Sequence, residues 1–223
     1  LDAQGTPRPA ADAPPPAPPT SAPAVNLLRN GAFTANWTDG WTRKPGEKIN
    51  GQSITEVVDA PESASGRAVR LVHDGASILG ISQFVDLESP DVRFSGRVQA
   101  QAETPCKGIL MHCTGHAGII LELFGGDGPA GEPLAMVFFY YAGTDPDLRP
   151  ASSATIRHIE LRPTWEEISF HLRRDVENSL PAVDPSAIGG VRVSLFAGSS
   201  ANCDPGSCLA ELLASDLVLA PEP

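Results

Sequence analysis

Residues 92–101 have the sequence VRFSGRVQAQ, in which apolar or small side chains alternate with polar ones. The apolar or small set is Val92, Phe94, Gly96, Val98 and Ala100, and the polar set is Arg93, Ser95, Arg97 and Gln99. Successive side chains of a β-strand point to opposite faces of its sheet, so this alternation predicts a strand with one buried and one solvated face.

Nine further segments, each flanked by residues typical of turns, also have the composition of strands. They are residues 54–58, 68–73, 78–87, 118–124, 134–141, 155–162, 165–173, 190–197 and 213–220. No segment has a sustained 3.6-residue periodicity, and only residues 184–190 and 208–214 leave room for a helical turn. The sequence therefore predicts an all-β chain.

The predicted strands are separated by loops that contain Gly, Pro and Asp, without crossover helices. This arrangement favours an antiparallel two-sheet β-sandwich, or jelly roll, over a parallel sheet. Residues 25–223 suffice for one such domain. Residues 1–24 are almost entirely proline, alanine and small polar residues. Few of their side chains suit a core, so we expect a disordered Pro-rich tail or linker with polyproline character.

The charge and hydropathy of the chain exclude several classes of partner. The net charge is −11, from 27 acidic and 16 basic residues, and the basic residues form no cluster. This composition argues against nucleic acids and anionic membranes. The longest apolar stretches, such as LAMVFFYYA at 134–142, are much shorter than the ~20 residues of a membrane-spanning helix. We therefore expect no nucleic-acid partner and no membrane insertion.

The four cysteines form two closely spaced pairs, Cys106 with Cys113 and Cys203 with Cys208. This spacing favours two local disulfides, which are typical of secreted, periplasmic or cell-surface proteins. Pairing across the two sets, such as Cys106 with Cys203, is an alternative, because four cysteines allow three connectivities.

A metal site is a second alternative for the first cysteine pair. The segment CKGILMHCTGH, residues 106–116, adds His112 and His116 to the two thiols, and both residue types ligate zinc or copper. The spacing is not the repeated two-residue gap of a zinc knuckle, so disulfides are the preferred interpretation.

The segment NLLRNGAFTANWTDGWTR, residues 26–43, contains an Asn-Gly turn, a phenylalanine and a Gly-Trp pair in that order. Three further motifs follow: ISQFVDL with FSGRVQA, then PTWEEISFHL, then ASDLVLAP. In their order, these motifs resemble galactose-binding-like jelly rolls, particularly carbohydrate-binding modules of the family 4/9 and 22 kind. The resemblance extends from Asn26 to about Pro221 and implies a galactose-binding-domain-like sandwich that binds sugars.

The resemblance also bears on calcium, because an ion often links the first strand to the last in this family. The matching positions are Asn30, Gly31 and Asp216, but Thr34 stands where the family has a glutamate. A carboxylate of the kind that calcium prefers is therefore missing. Asn30 and Asp216 are the candidate calcium ligands, and no cofactor is required.

The tryptophans divide into core and ligand-binding candidates. Trp41 and Trp165 match positions where this fold has core-covering tryptophans, so we expect both to be buried. Trp37 lies in the polar segment TANWTDG, without apolar neighbours in the sequence, and is a candidate for stacking on a sugar ring.

A second aromatic surface is predicted within VFFYY, residues 137–141. Alternation places Phe138 and Tyr140 on one face and Val137, Phe139 and Tyr141 on the other. Whichever face lies outside the core would form an aromatic platform, so Tyr140 and Tyr141 are both ligand-binding candidates.

Sugar hydroxyls need polar partners beside such a platform. The candidates are Gln83, Arg97, Gln99 and Glu122, which would act together if their strands line one concave face; an ordinary solvated sheet face is the alternative for each. Catalytic motifs such as G-x-S-x-G and H-E-x-x-H are absent from the sequence, so we expect no enzyme.

These patterns predict a noncatalytic extracellular module on a Pro-rich stalk, which is secreted, periplasmic or displayed on the cell surface. Its partner would be a glycan or another cell-surface polymer. The alternative is a structural or adhesive protein of a bacterial envelope or extracellular assembly, in which the sheets contact a protein partner.

Overall fold

The computed structural model describes residues 25–43, 52–75, 77–102, 115–141, 152–199 and 209–222, together with the backbone of 106–108 and 111–113. The strands are β1 (Thr42–Arg43), β2 (Gln52–Asp59), β3 (Arg67–Asp74), β4 (Ile78–Asp86), β5 (Val92–Ala102), β6 (Cys106–Gly108), β7 (Met111–Cys113), β8 (Gly115–Phe124), β9 (Ala135–Tyr141), β10 (Ile156–Glu160), β11 (Glu166–His171), β12 (Gly190–Ser199) and β13 (Leu209–Pro221). The helix α1 is Leu172–Ser179, and 3-10 turns occur at Gly128–Ala130 and Pro185–Ala187.

Eleven of these strands form two sheets. The six-stranded sheet has the order β1-β4-β12-β8-β9-β10, and the five-stranded sheet has the order β11-β5-β13-β3-β2. All neighbouring strands pair antiparallel except β9 and β10, which are parallel. The strands β6 and β7 form a separate antiparallel ribbon. The predicted all-β, two-sheet sandwich is confirmed.

The core lies between the two sheets, where each contributes the apolar half of its alternating strands. Val92, Phe94, Val98 and Ala100 of β5 are buried, as the pattern VRFSGRVQAQ predicts. Phe139 of β9 packs against Phe94 from the other sheet, with the two ring centroids 6.1 Å apart. Burying one such phenylalanine contributes about 1.5–3 kcal/mol, so these inward rings hold the sheets together.

The segment before β1 packs on the sandwich and joins it to the last strand. Phe33 and Trp41 are buried with ring centroids 5.5 Å apart, which confirms the expected burial of Trp41. The side chain of Asn26 donates from Nδ2 to Leu217 O at 2.9 Å and accepts from the N–H of Leu219 at 2.9 Å. One amide thus links the beginning of the domain to its end.

The structure differs from the sequence prediction after residue 171, where α1 replaces the continuation of the strand predicted for 165–173. Leu172, Val176 and Leu180 recur every four residues and are buried on one side of the helix. The carboxylate of Asp175 accepts the N–H of His171 at 2.8 Å, which satisfies a backbone donor at the helix start. Eight residues are too few to produce a conspicuous helical periodicity.

The two expected helical turns have different outcomes. The 3-10 turn Pro185–Ala187 confirms the prediction for 184–190. The turn expected at 208–214 is wrong, because β13 begins at Leu209 and pairs with both β3 and β5. Across the described ranges, no helix has the length and apolar character required to cross a membrane.

Candidate ligand-binding face of the six-stranded sheet

One side of the six-stranded sheet faces away from the core, and we call it the outer face. Strand pairing and alternation place on it side chains from six strands. These are Thr42, Ser82, Phe84, His116, Ile120, Glu122, Met136, Phe138, Tyr140, His158, Arg192, Ser194 and Phe196. The residues between them, such as Leu121 and Val193, are fully buried in the core.

An aromatic group covers the outer face toward the β9–β10 edge. The rings of Tyr140 and Phe196 stack with centroids 6.2 Å apart, and the ring of His116 lies 5.8 Å from that of Tyr140. His158 stacks on Phe138 with centroids 4.7 Å apart. These rings come from β8, β9, β10 and β12, so they form one surface that crosses four neighbouring strands.

The aromatic group is partly shielded from water, and this shielding disfavours the charged forms of Tyr140 and His158. Burial raises the pKa of Tyr140 to about 12, so its hydroxyl stays protonated at neutral pH. Burial lowers the pKa of His158, whose buried Nδ1 has no hydrogen-bond partner in the described part of the chain. At neutral pH both rings are therefore neutral.

An ion pair lies in the middle of the outer face. Arg192 Nη1 is 3.4 Å from Glu122 Oε2, and Arg192 Nη2 donates to Pro129 O at 3.1 Å. The hydroxyl of Ser194 donates to the same carboxylate oxygen at 3.3 Å, and the guanidinium lies 4.8 Å from the centroid of Phe124. Since Glu122 is only 8% exposed, removal of Arg192 would leave a poorly solvated carboxylate without its counter-ion.

A cleft of about 600 Å³ opens beside this ion pair, at the β1–β4 edge of the sheet. It is lined by Arg29, Gly40, Thr42, Ser82, Gln83, Phe84 and Arg192. Four of these residues belong to the outer face, whereas Arg29 and Gly40 come from the segment before β1 and form a wall. The cleft therefore combines a phenyl ring, two hydroxyls and two guanidinium groups.

The wall of the cleft depends on a glycine. Gly40 has a φ of +91°, a conformation that residues with a side chain rarely adopt. A Cβ at this position would lie 2.6 Å from the Cβ of Arg29 and 3.3 Å from Nε2 of Gln83. A side chain on residue 40 would thus displace the wall that carries Arg29.

Gln83, a predicted ligand contact, lines the cleft, but both polar atoms of its side-chain amide are hydrogen-bonded to the protein itself. Its Oε1 accepts the N–H of Arg29 at 2.7 Å, and its Nε2 donates to the carbonyl of Arg29 at 3.1 Å. The structure therefore makes Gln83 a residue that positions Arg29 at the rim of the cleft.

The other predicted polar residues do not share one face. Glu122 lies on the outer face together with the aromatic candidate Tyr140. Arg97 and Gln99 lie on β5 of the five-stranded sheet, on the side of that sheet away from the core. The two sets are therefore on opposite sides of the sandwich and cannot contact one small ligand.

The expected burial of Trp165 in the core is wrong. The ring is half-buried, next to β11 of the five-stranded sheet, and the guanidinium of Arg97 lies 5.9 Å from its centroid. The physical reason is alternation, because Trp165 is out of phase with the buried residues Ile168 and Phe170 of β11.

Two further ligand-binding candidates, Trp37 and Tyr141, do not lie on the outer face. Both are partly buried and pack against the core. Tyr141 continues the inward series of Val137 and Phe139 on β9, so the split predicted for VFFYY is confirmed, with Phe138 and Tyr140 as its outward members. The expectation that Trp37 lacks apolar neighbours is wrong, because the loop that carries it folds back onto the core.

The structure places the candidate calcium ligands Asn30 and Asp216 in hydrogen bonds to separate turns. The Oδ1 of Asn30 accepts the N–H of Ala35 at 3.2 Å. The carboxylate of Asp216 accepts the N–H of Ala64 at 2.7 Å and that of Ser65 at 3.1 Å. These oxygens already cap two different turns. Within the described residues, no group of three or more His, Cys, Asp or Glu side chains is arranged to hold a metal ion.

The cysteine predictions lie mostly outside the described residues. Cys203 and Cys208 are not described, and neither are the side chains of Cys106, His112 and Cys113. The backbone does place Cys106 directly opposite Cys113 in the β6–β7 ribbon. Both disulfides, and the metal alternative, stay predictions.

Several residues of the outer face were missed by the sequence prediction, although a signal for them exists. In GVRVSLFA, residues 190–197, Arg192, Ser194 and Phe196 alternate with Val191, Val193 and Leu195, which are fully buried. The same alternation that identified Tyr140 would have placed these three on the side away from the core.

No protein-family model matches this chain, and a search of curated proteins finds no match. Similar solved structures include TmCBM61 in complex with β-1,4-galactotriose, at 14% identity and a TM-score of 0.48, over 89% of this chain and 100% of that one. Another is the enzymatically active domain of tailspike protein 4 of bacteriophage CBA120, at 11% identity and a TM-score of 0.49, over 87% of this chain and 21% of that one. A family 4 module, with a TM-score of 0.44 at 11% identity, covers 87% of this chain and 99% of its own.

Proposed function

We propose that the folded domain is a noncatalytic module that binds a glycan in the cleft of the outer face. The observation that carries this proposal is the lining of the cleft, in which Phe84 lies among the hydroxyls of Thr42 and Ser82 and the guanidinium of Arg192. Sugar rings combine apolar C–H faces with hydroxyl groups, so they need an aromatic surface and hydrogen-bonding side chains within one site. The cleft supplies both.

The size and shape of the cleft support a short oligosaccharide or a segment of a polysaccharide. Its volume of about 600 Å³ lies within the ~300–1,000 Å³ that is usual for small-ligand sites. The partly exposed rings of Phe138, Tyr140 and His158 continue the outer face beyond the Arg192–Glu122 pair. A longer glycan would therefore extend from the cleft across the strands toward β10.

The noncatalytic part of the proposal rests on the carboxylates. Glycoside hydrolysis commonly uses two carboxyl groups ~5 to 9.5 Å apart on either side of the scissile bond. The described lining of the cleft contains no carboxylate, and Glu122 beside it is bonded to Arg192 and Ser194. Binding without hydrolysis is the function that these side chains support best.

The location and the tail belong to the same proposal. The Pro/Ala composition of residues 1–24 suits a spacer between this domain and another structure, and two disulfides would suit a secreted, periplasmic or cell-surface protein. In that setting the partner is a glycan or cell-surface polymer, with a structural or adhesive protein contact as the alternative.

A glycan array followed by isothermal titration calorimetry on the full chain tests the proposal. We expect Phe84→Ala to abolish binding of the array hit, whereas Trp165→Ala should retain it. The second variant is a matched control, because it removes a half-buried aromatic ring from the opposite side of the sandwich. Absence of any bound glycan at millimolar concentration, or equal losses in both variants, would reject the proposal in favour of a structural or adhesive role.

A further inference from the structure

Among the described residues, the two charged side chains that line the cleft are both cationic. They are Arg29 from the N-terminal wall and Arg192 from β12, and no acidic residue of the described chain lines the cleft with them. The chain as a whole carries a net charge of −11, so a site with two guanidinium groups stands out from the acidic background. We propose that the cleft takes an acidic glycan, whose carboxylate or sulfate group lies between these two arginines. This inference rests on the function proposed above.

Arg192 is held in a fixed position from which it can still bind a ligand. Its Nη1 pairs with Glu122 and its Nη2 donates to the carbonyl of Pro129, while the Phe124 ring lies beside the guanidinium. A guanidinium carries five N–H donors, and these two bonds leave others for a ligand. The side chain of Arg192 is 24% exposed and that of Glu122 is 11% exposed, so a ligand in the cleft meets the cation before the carboxylate.

Arg29 supplies the second cation from a backbone that is anchored on both sides. The two bonds to Gln83 fix its peptide groups, and Gly40 packs against its Cβ. Its guanidinium lies 3.2 Å from Asp39, but the two side chains are 75% and 53% exposed. An exposed pair of this kind contributes little to stability, so an acidic ligand group can replace Asp39 at little cost.

The chemistry of the guanidinium group favours an anion over a neutral hydroxyl. Hydrogen bonds between a guanidinium and a carboxylate or sulfate oxygen are charge-assisted and roughly twice as strong as neutral ones. A bidentate contact also fixes the orientation of the acidic group, which selects among sugars that differ only in that substituent. Because the remainder of the protein is acidic, this attraction is confined to the cleft. Dissolved ions screen such charges, so we expect the affinity to fall as salt is added.

Calorimetry with matched ligands tests the inference on the full chain. The probes are an oligogalacturonide, its fully methyl-esterified form, a sulfated galactan oligosaccharide and a neutral cello-oligosaccharide. We expect at least one acidic probe to bind about tenfold or more tightly than the methyl ester, with an affinity that falls between 50 mM and 500 mM NaCl. Tighter binding of the oligogalacturonide identifies a carboxylate as the acidic group, and tighter binding of the galactan identifies a sulfate.

Substitutions test whether Arg29 and Arg192 bind the acidic group. Arg29→Gln should lower the affinity for the acidic probe about tenfold without changing stability, because its side chain is largely exposed. Arg192→Lys keeps the charge opposite Glu122 but loses the bidentate fork, so it should also weaken binding. The control is Arg93→Gln, which removes the same charge from an exposed position of the five-stranded sheet.

Two patterns of result contradict the inference, and they can be told apart from failure of the proposed function. If the methyl ester or the neutral probe binds as tightly as both acidic probes, the site binds glycans but not through acidic groups. If Arg29→Gln and Arg93→Gln have the same effect, the cleft is not where the acid binds. If none of the four probes binds and the array is also empty, the proposed glycan-binding function fails together with the inference.

Discussion

The side-chain amide of Gln83 is hydrogen-bonded to both backbone groups of Arg29, at 2.7 Å to the N–H and 3.1 Å to the carbonyl. This pairing imitates the contact that a neighbouring strand would make, at an edge where the chain before β1 runs beside β4. Gln83 is only 8% exposed, so neither backbone group of Arg29 is easily satisfied by water if the amide is removed.

Replacing Gln83 by leucine should therefore lower stability. We expect the free energy of unfolding to fall by about 1–3 kcal/mol, because a polar pair is lost and its backbone partners stay partly buried. Urea denaturation followed by circular dichroism measures this change. Gln99→Leu is the control, since the Gln99 amide makes one exposed contact, to Pro163 O at 3.2 Å. Equal midpoints for the two variants would contradict the positioning role of Gln83.

Asn26→Ala tests the link between the first and last parts of the domain. The amide of Asn26 bonds to Leu217 and Leu219 of β13 and also accepts the N–H of Leu28 at 3.0 Å. We expect a loss of about 2 kcal/mol in unfolding free energy, because three hydrogen bonds vanish together. Asn36→Ala, in an exposed turn, should change stability by much less. A thermal melt in which both variants unfold at the same temperature would show that the link is unimportant.

Calcium should not stabilise this domain. The oxygens of Asn30 and Asp216 already accept backbone hydrogen bonds in two separate turns. A ligand that binds only the folded state raises the melting temperature in proportion to its occupancy. We therefore expect the melting temperature measured in about 5 mM EDTA to equal that measured in about 5 mM CaCl₂. A rise of several degrees with calcium, abolished in Asp216→Ala, would contradict this expectation.

Stability should decrease in mild acid because of His73. This side chain is fully buried, and its ring nitrogens lie 2.8 Å from the hydroxyls of Ser53 and Ser77. Burial lowers its pKa below the ordinary value of 6.5, with a smaller opposing effect of Asp74. The unfolded chain therefore binds more protons than the folded chain, so the stability present above pH 6.5 is lost as pH falls toward the lowered pKa.

The measurement is the unfolding free energy between about pH 8 and pH 5, in wild type and in His73→Gln. We expect a shallower pH dependence in the variant. Because burial also lowers the pKa of His158, part of the slope should persist. If the two proteins have identical slopes, His73 does not contribute to acid sensitivity.

Peptide mapping without reduction should recover a Cys106–Cys113 bridge and a Cys203–Cys208 bridge. The first pair spans two strands that place its Cα atoms opposite each other. Residues directly opposite each other in antiparallel strands have Cα atoms roughly 4.5–5.5 Å apart, within the range that a disulfide needs. Recovery of a Cys106–Cys203 bridge, or of free thiols that bind zinc stoichiometrically, would contradict local pairing.

The composition and alternation of side chains in the sequence identified ten of the thirteen strands, and missed the short strands β1, β6 and β7. VRFSGRVQAQ predicts the buried set of β5, and VFFYY separates Tyr140 from Tyr141 correctly. This works because the side-chain period of a strand is a local property of its own backbone. The short helix α1 was not predicted in this way, because two helical turns contain too few repeats for their periodicity to be distinguished from that of a strand.

The tertiary structure alone decided which outward faces lie together. Arg97, Gln99 and Glu122 are all outward residues of alternating strands, yet β5 and β8 belong to different sheets. Alternation defines inside and outside for each strand but carries no information about its partners in the sheet. Those partners are distant in the chain, as β5 with β13 and β4 with β12 illustrate. The cleft between Arg29 and Arg192 exists only because such long-range pairing brings residues from opposite ends of the chain to one edge.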